Sequence, residues 1–339
     1  MSIPNTPGIL PCQAIEALIA NGAISAPEPF APDQVQPASL DLRLGDYAWR
    51  ARASFLPGAG RTVAERLADV AMHRLDLTGG AVLERGCVYI CPVQEVMALP
   101  PGVCARANPK SSTGRVDVFV RAITDHGAAF DDVAAGYHGP LYVEISPQTF
   151  SVLVRTGTRL NQLRLRQGEP LRLSSRDVGV DLTGELAGFR ARRHAGVIDL
   201  DREDGHDPRD FWEPLEARRG ELLLDPGEFY ILASKEAIEI PVGQAAEMTP
   251  IDPAVGEFRV HYAGFFDPGF GTAEAGGLGS RGVLEVRSHE TPFLLEDGQT
   301  VARLVFEPLT ERPARLYGAG GSHYQRQGLK LSKHFRVWG

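Results

Sequence analysis

The sequence predicts an all-β protein built from two similar units in tandem. From about residue 81 onward, short apolar runs alternate with Gly, Pro and Asp turns, and helical periodicity nearly vanishes. Such spacing belongs to β-sandwiches and barrels, not to alternating βα units. The chain also repeats itself: Gly86 recurs as Gly227, Glu144 as Glu285 and Gly157 as Gly298, a constant offset of 141 residues. Four segments share this register. Residues 81–90 read like 222–231, 96–100 like 237–241, 141–144 like 282–285, and 157–163 like 298–304. A fixed period over that distance marks a duplicated unit. The expected boundaries are a first unit over 1–170, a linker over 171–194 and a second unit over 195–339.

The totals narrow the function classes. The chain has 339 residues, 43% hydrophobic and 23% charged, enough for two medium domains. A net charge of -8 argues against a broad nucleic-acid-binding surface. No apolar run is long enough to span a membrane, and the start lacks a basic-then-apolar leader pattern. Cys12, Cys87, Cys91 and Cys104 are too few and too scattered for a disulfide framework, so a cytoplasmic protein with reduced thiols is expected.

Taken in order, residues 9–24 form the clearest helix. Ile15, Leu18 and Ile19 recur at helical spacing, Pro11 suits a first turn and Gly22 ends it. Leu40, Leu42 and Leu44 then alternate with Ser39, Asp41 and Arg43, the pattern of a half-buried strand. One short helix is expected near Val63–Met72. Beyond that the strands begin.

The stretch Asn108-Pro109-Lys110-Ser111-Ser112-Thr113-Gly114-Arg115 stands out. Ser hydroxyls and the N–H groups of a tight turn can point together at phosphate oxygens. Arg115 adds a planar fork for two such oxygens. The second unit has Asp252-Pro253-Ala254-Val255-Gly256 at this place, where Asp252 would repel a phosphate. Conversely, Asp267-Pro268-Gly269 in the second unit has no match in Ala122-Ile123-Thr124-Asp125-His126-Gly127. Neither half carries a full set.

Together, the helix ending Asn21-Gly22-Ala23-Ile24, the strand Pro37–Gly45, the Ser111–Arg115 turn and the Val283-Leu284-Glu285 strand resemble dCTP deaminase. So do the segment Ala263–Phe270 and the tail around Tyr317 and His323–Gly328. The double length departs from that family's common form. The resemblance implies two dUTPase-like distorted β-barrel or jelly-roll domains with a short N-terminal helix. It implies dCTP or dUTP as ligand, and Mg²⁺ bound through the nucleotide triphosphate. It also implies a homo-oligomer of threefold type, because in that family the pocket lies between neighbouring copies.

Deamination requires water to attack C4 of the cytosine ring and a proton to reach the leaving nitrogen. The zinc route uses an H-x-E and P-C-x-x-C pattern, which this sequence lacks, so no zinc is expected. A carboxylate acting as base and then acid is the other route, and an apolar setting lifts its pKa into range. The resemblance gives this role to the glutamate of the Val-Leu-Glu strand. Two glutamates fit. In a composite site, Ser111, Ser112 and Arg115 hold the phosphates. Asp267 then takes the sugar 3′-hydroxyl, backbone around Ala263 the base, and Glu285 the chemistry, with Tyr317, Tyr324 and Gln327 closing over them. The rival arrangement uses Glu144, with Asp125 or Asp131 at the sugar. His323 stands where the family tends to have Lys, beside Arg326 and Lys330. Residues 195–201 imitate the sugar-binding hairpin but fall outside the register, and read as a strand entry. A dUTPase, an enzyme catalysing both steps, and a catalytically silent nucleotide-binding module remain as alternatives.

Overall fold

The computed structural model describes residues 6–251, 258–261, 264–288, 290–319, 324–325 and 327–339. Ala263, His323, Arg326 and the turn from Asp252 to Gly256 lie outside the described residues. Within them, no helix is long and apolar enough to cross a membrane.

The duplicated all-β architecture is present. The first unit packs two sheets. One contains Val103–Pro109 and Asn161–Gln167 side by side, flanked by Ser39–Leu42. The other sets His138–Pro147 between Val118–Thr124 and Val88–Ala98. The second unit repeats both arrangements. Gln244–Pro250 lies beside Thr300–Pro308, and Ser280–Ser288 lies between Phe258–His261 and Phe229–Ile238. The register repeats as well: Ile90 faces Glu144 across the first sheet, and Ile231 faces Glu285 across the second. Inward-facing residues alternate along these strands and form the cores.

The expected linker is a correction. Ser174–Gly179 pairs along Thr300–Pro308, and Gly188–Ala191 lies between Trp212–Leu215 and Phe229–Ile238. Residues within 171–194 therefore belong to the second unit's sheets. Their sequence hid this because Ser174, Ser175, Arg176 and Asp177 are all exposed, so no apolar alternation marks the strand. The segment 195–201 behaves as a strand entry: Ile198–Asp199 adds in parallel to Val152–Val154 of the first unit.

The units share one core. The larger cluster contains Leu163 and Phe150 of the first unit, Trp212, Phe229 and Val283 of the second, and Leu331 and Phe335 of the tail. Phe150 meets the fully buried Trp212 edge-on, with centroids 5.4 Å apart. Truncating a buried side chain of this size costs about 3–5 kcal/mol, so the junction adds to the stability of the whole chain. Arg166 and Glu307, equivalent positions offset by 141, pair with each other at 2.6 Å.

The N-terminal helix spans Cys12–Ala20, with Pro11 as its cap and Gly22 beyond its end in the left-handed region (φ 75°). The second helix, Val63–Val70, begins with a capping box between Thr62 and Glu65. The strand Ser39–Leu42 is not half-exposed as expected. Ser39, Asp41 and Arg43 are buried along with the leucines, because Lys110 pairs with Asp41 and Glu95 with Arg43 at 2.8 Å. Paired charges tolerate a buried face that an alternation pattern assigns to solvent.

Candidate active site

A cavity of about 720 Å³ opens where the units meet. Its first-unit wall is the segment from Pro109 to Arg115. Lys110 is extended, and Ser111–Gly114 makes one helical turn closed by Arg115 N–H donating to the Ser111 carbonyl. Asp117 leaves the turn at φ 56°, a left-handed conformation that redirects the chain into the next strand.

Tail residues of the second unit cross this turn. Arg115, almost wholly buried, donates to the Lys330 carbonyl (3.0 Å) and to Oε1 of Gln327 (3.1 Å), and its guanidinium lies 4.0 Å from the Tyr324 ring centroid. The Ser332 hydroxyl lies 2.7 Å from the Ser112 carbonyl and 2.9 Å from Nδ1 of His334. His334 Nε2 lies 3.1 Å from the Leu200 carbonyl, and burial pushes this imidazole down to about 4.

The second-unit wall carries Asp267, Glu285, Tyr317, Tyr324 and Gln327. Glu285 is buried, and among the described residues no cation forms a salt bridge with it. Burial pushes its carboxyl up to about 8; the Arg115 charge opposes that rise and Asp117 adds to it. Asp267 is also raised by burial, opposed by Arg164, whose Nη2 lies 3.1 Å from Oδ1. Tyr317 packs on Phe270 with ring centroids 5.3 Å apart, and its N–H donates to the Pro268 carbonyl.

Glu144, the acid of the rival arrangement, lies away from this cavity. Arg121 Nη2 holds the Glu144 carboxylate at 2.6 Å, while its guanidinium covers Phe130 at 3.8 Å. Asp125 accepts from the Val63 N–H at 2.7 Å, at the start of the second helix. Asp131 accepts from the Ala122 N–H, and burial pushes it up to about 7. Val63, Leu67, Ile90 and Ile123 cluster here with Phe130 and Tyr142 packed against them. The space that is open at Glu285 is filled at Glu144.

Sequence reasoning missed several lining groups. Lys110 is paired with Asp41, and Arg159 with Asp33 at 2.9 Å; all four line the cavity. Arg164 stands behind Asp267. The available signal was a polarity change between repeats, since Arg164 corresponds to Val305. Among the described residues, no three His, Cys, Asp or Glu side chains gather as a metal site.

Comparison with known proteins identifies the family. The sequence model of the 2′-deoxycytidine 5′-triphosphate deaminase N-terminal domain matches residues 6–169, and that of the C-terminal domain matches residues 154–335. The dCTP deaminase of Halorubrum lacusprofundi is 30% identical over 132 residues, which span 38% of this chain and 62% of that protein. The dCTP deaminase of Haloarcula marismortui is 29% identical over 179 residues, 52% of this chain and 87% of that one. The crystal structure of 2′-deoxycytidine 5′-triphosphate deaminase from Agrobacterium tumefaciens superposes with a TM-score of 0.85 at 54% identity, covering 90% of this chain and 99% of that one. With both domain models matched in tandem order, the chain belongs to the 2′-deoxycytidine 5′-triphosphate deaminase family.

Proposed function

We propose that this protein removes the 4-amino group of dCTP by hydrolysis, giving dUTP and ammonia. One observation carries the reading: Glu285, a buried carboxyl that no cation among the described residues pairs with, shares a cavity with a Ser-Ser-Arg turn contributed by the other unit. With a pKa near 8, Glu285 exists in both protonation states close to neutrality. The ionised form takes a proton from water as its oxygen bonds to C4. The protonated form gives that proton to ring N3; the carboxylate then carries the C4 hydroxyl proton to the amino nitrogen, and ammonia leaves as the C4 carbonyl forms.

Ser111, Ser112 and Arg115 take the phosphates in this reading, and Asp267 takes the 3′-hydroxyl. Tyr317, Tyr324 and Gln327 enclose the nucleotide. Mg²⁺ arrives chelated by the triphosphate. This fits the donor set, because Asp33, Asp41 and Asp267 are already matched with Arg159, Lys110 and Arg164. The reading includes a threefold homo-oligomer in the cytoplasm, the former checked by native mass spectrometry.

A bifunctional enzyme is the second reading. It is favoured by relatives named "dCTP deaminase, dUMP-forming", such as that of Methanothermobacter thermautotrophicus, 28% identical over 145 residues. Incubating purified protein separately with dCTP and dUTP distinguishes the cases. Formation of dUTP from dCTP supports deamination alone. Formation of dUMP from dCTP supports both steps, and binding without turnover contradicts an enzyme.

A further inference from the structure

Arg164 stands on the first unit's strand Asn161–Gln167, yet its hydrogen bonds reach across to the second unit. Nη1 donates to the Ala246 carbonyl (2.8 Å), and Nη2 donates to the Phe266 carbonyl (3.2 Å) and to Oδ1 of Asp267 (3.1 Å). The guanidinium carbon lies 4.1 Å from the Phe265 ring centroid. The side chain is 3% exposed.

A guanidinium carries its donors in one rigid plane. Here that plane binds two carbonyls and a carboxylate at once and rests on a ring one residue away. Among the described residues, the two-residue strand Phe265–Phe266 pairs with Glu247 and Ala246 alone. A buried cation is costly unless matched, and Asp267 supplies the match. The equivalent residue in the second unit is Val305, so the repeat itself does not require an arginine. With Oδ1 on Arg164, Asp267 keeps a second oxygen that no hydrogen bond among the described residues engages.

We propose that Arg164 is a positioning residue for substrate selection: the first unit uses it to aim the second unit's Asp267 at the nucleotide 3′-hydroxyl. The proposal rests on the reading of Asp267 given above. Arg164 acts through Asp267 and touches no reacting atom.

The test compares kcat/KM on dCTP and on 2′,3′-dideoxycytidine 5′-triphosphate for the wild type, Asp267→Asn and Arg164→Lys. The wild type prefers dCTP by about tenfold or more, the value of one hydrogen bond to a charged group. Asp267→Asn loses that preference. Arg164→Lys, whose single ammonium cannot hold both carbonyls and the carboxylate, loses it as well, chiefly through KM for dCTP. Retained preference in Asp267→Asn overturns the reading of Asp267 itself. Lost preference there, with preference kept in Arg164→Lys, overturns the role of Arg164, as does an equal fall on both nucleotides. Where Arg164→Lys does not fold, Phe265→Leu removes only the supporting ring. A partial loss of preference is then expected, and an unchanged preference overturns the proposal.

Discussion

Glu144 and Glu285 occupy the same register in two copies of one fold, facing Ile90 and Ile231 respectively. Their surroundings are opposite. Glu144 is neutralised by Arg121 beneath the helix Val63–Val70, and Glu285 stands in a cavity with its carboxyl pushed up to about 8. A shared backbone position therefore does not fix a carboxylate's chemistry. One nearby guanidinium, and whether apolar side chains fill the space in front, decide it. The phosphate-type turn shows the inverse pattern, because the first unit keeps Ser111, Ser112 and Arg115 and lends them to the second. In the proposed site each copy supplies one half.

The largest expected effect breaks this comparison at its centre. Glu285→Gln lowers kcat on dCTP by about 10³-fold or more, in the range that a lost general base produces. Nucleotide affinity, measured by calorimetry, stays close to wild type.

Arg115→Lys comes next. It loses the planar fork over Tyr324 and the bond to Gln327, and raises KM for dCTP by about 10–100-fold with a smaller change in kcat.

The pH profile sharpens the contrast between the two acids. On the proposed mechanism Glu285 starts ionised, so kcat/KM is expected to rise about tenfold per pH unit until it levels near 8. Stability runs the other way. A carboxyl whose folded pKa exceeds its unfolded value favours folding fully below about 4.5, and that contribution is lost as pH rises through about 8. Glu285→Gln has no such dependence, so its melting temperature exceeds that of the wild type more at pH 9 than at pH 5. Equal differences at both values would contradict a buried, ionisable Glu285.

Glu144→Gln gives the smallest change. Turnover of dCTP stays at the wild-type level. Stability falls by about 1 kcal/mol in urea unfolding, since its partner Arg121 is 39% exposed and the pair is partly screened.

Much of this was legible in the sequence because duplication writes itself as a fixed offset. The offset survives in strands, turns and both glutamates. The composite cavity was legible because the two halves lack complementary motifs: Asp252 replaces the Ser-Ser turn, and Asp125-His126-Gly127 replaces Asp-Pro-Gly. What stayed hidden depends on contacts between distant residues. Asp41 and Arg43 read as a solvent face, since nothing local announces Lys110 or Glu95. Ser174–Gly179 lacks apolar alternation because it is an edge strand on Thr300–Pro308. The leucines around Arg164 give a generic strand, and only the fold shows the second unit's hairpin under its guanidinium.

The central claim is that one chain supplies both walls of its own site. Co-expressing Arg115→Ala chains with Glu285→Gln chains, and assaying the purified mixed particles on dCTP, tests it most directly. Each defect then stays in its own cavity, and the mixture is predicted to be as inactive as either parent. Recovery of substantial activity would mean that the Ser-Ser-Arg turn and the buried acid meet across different chains.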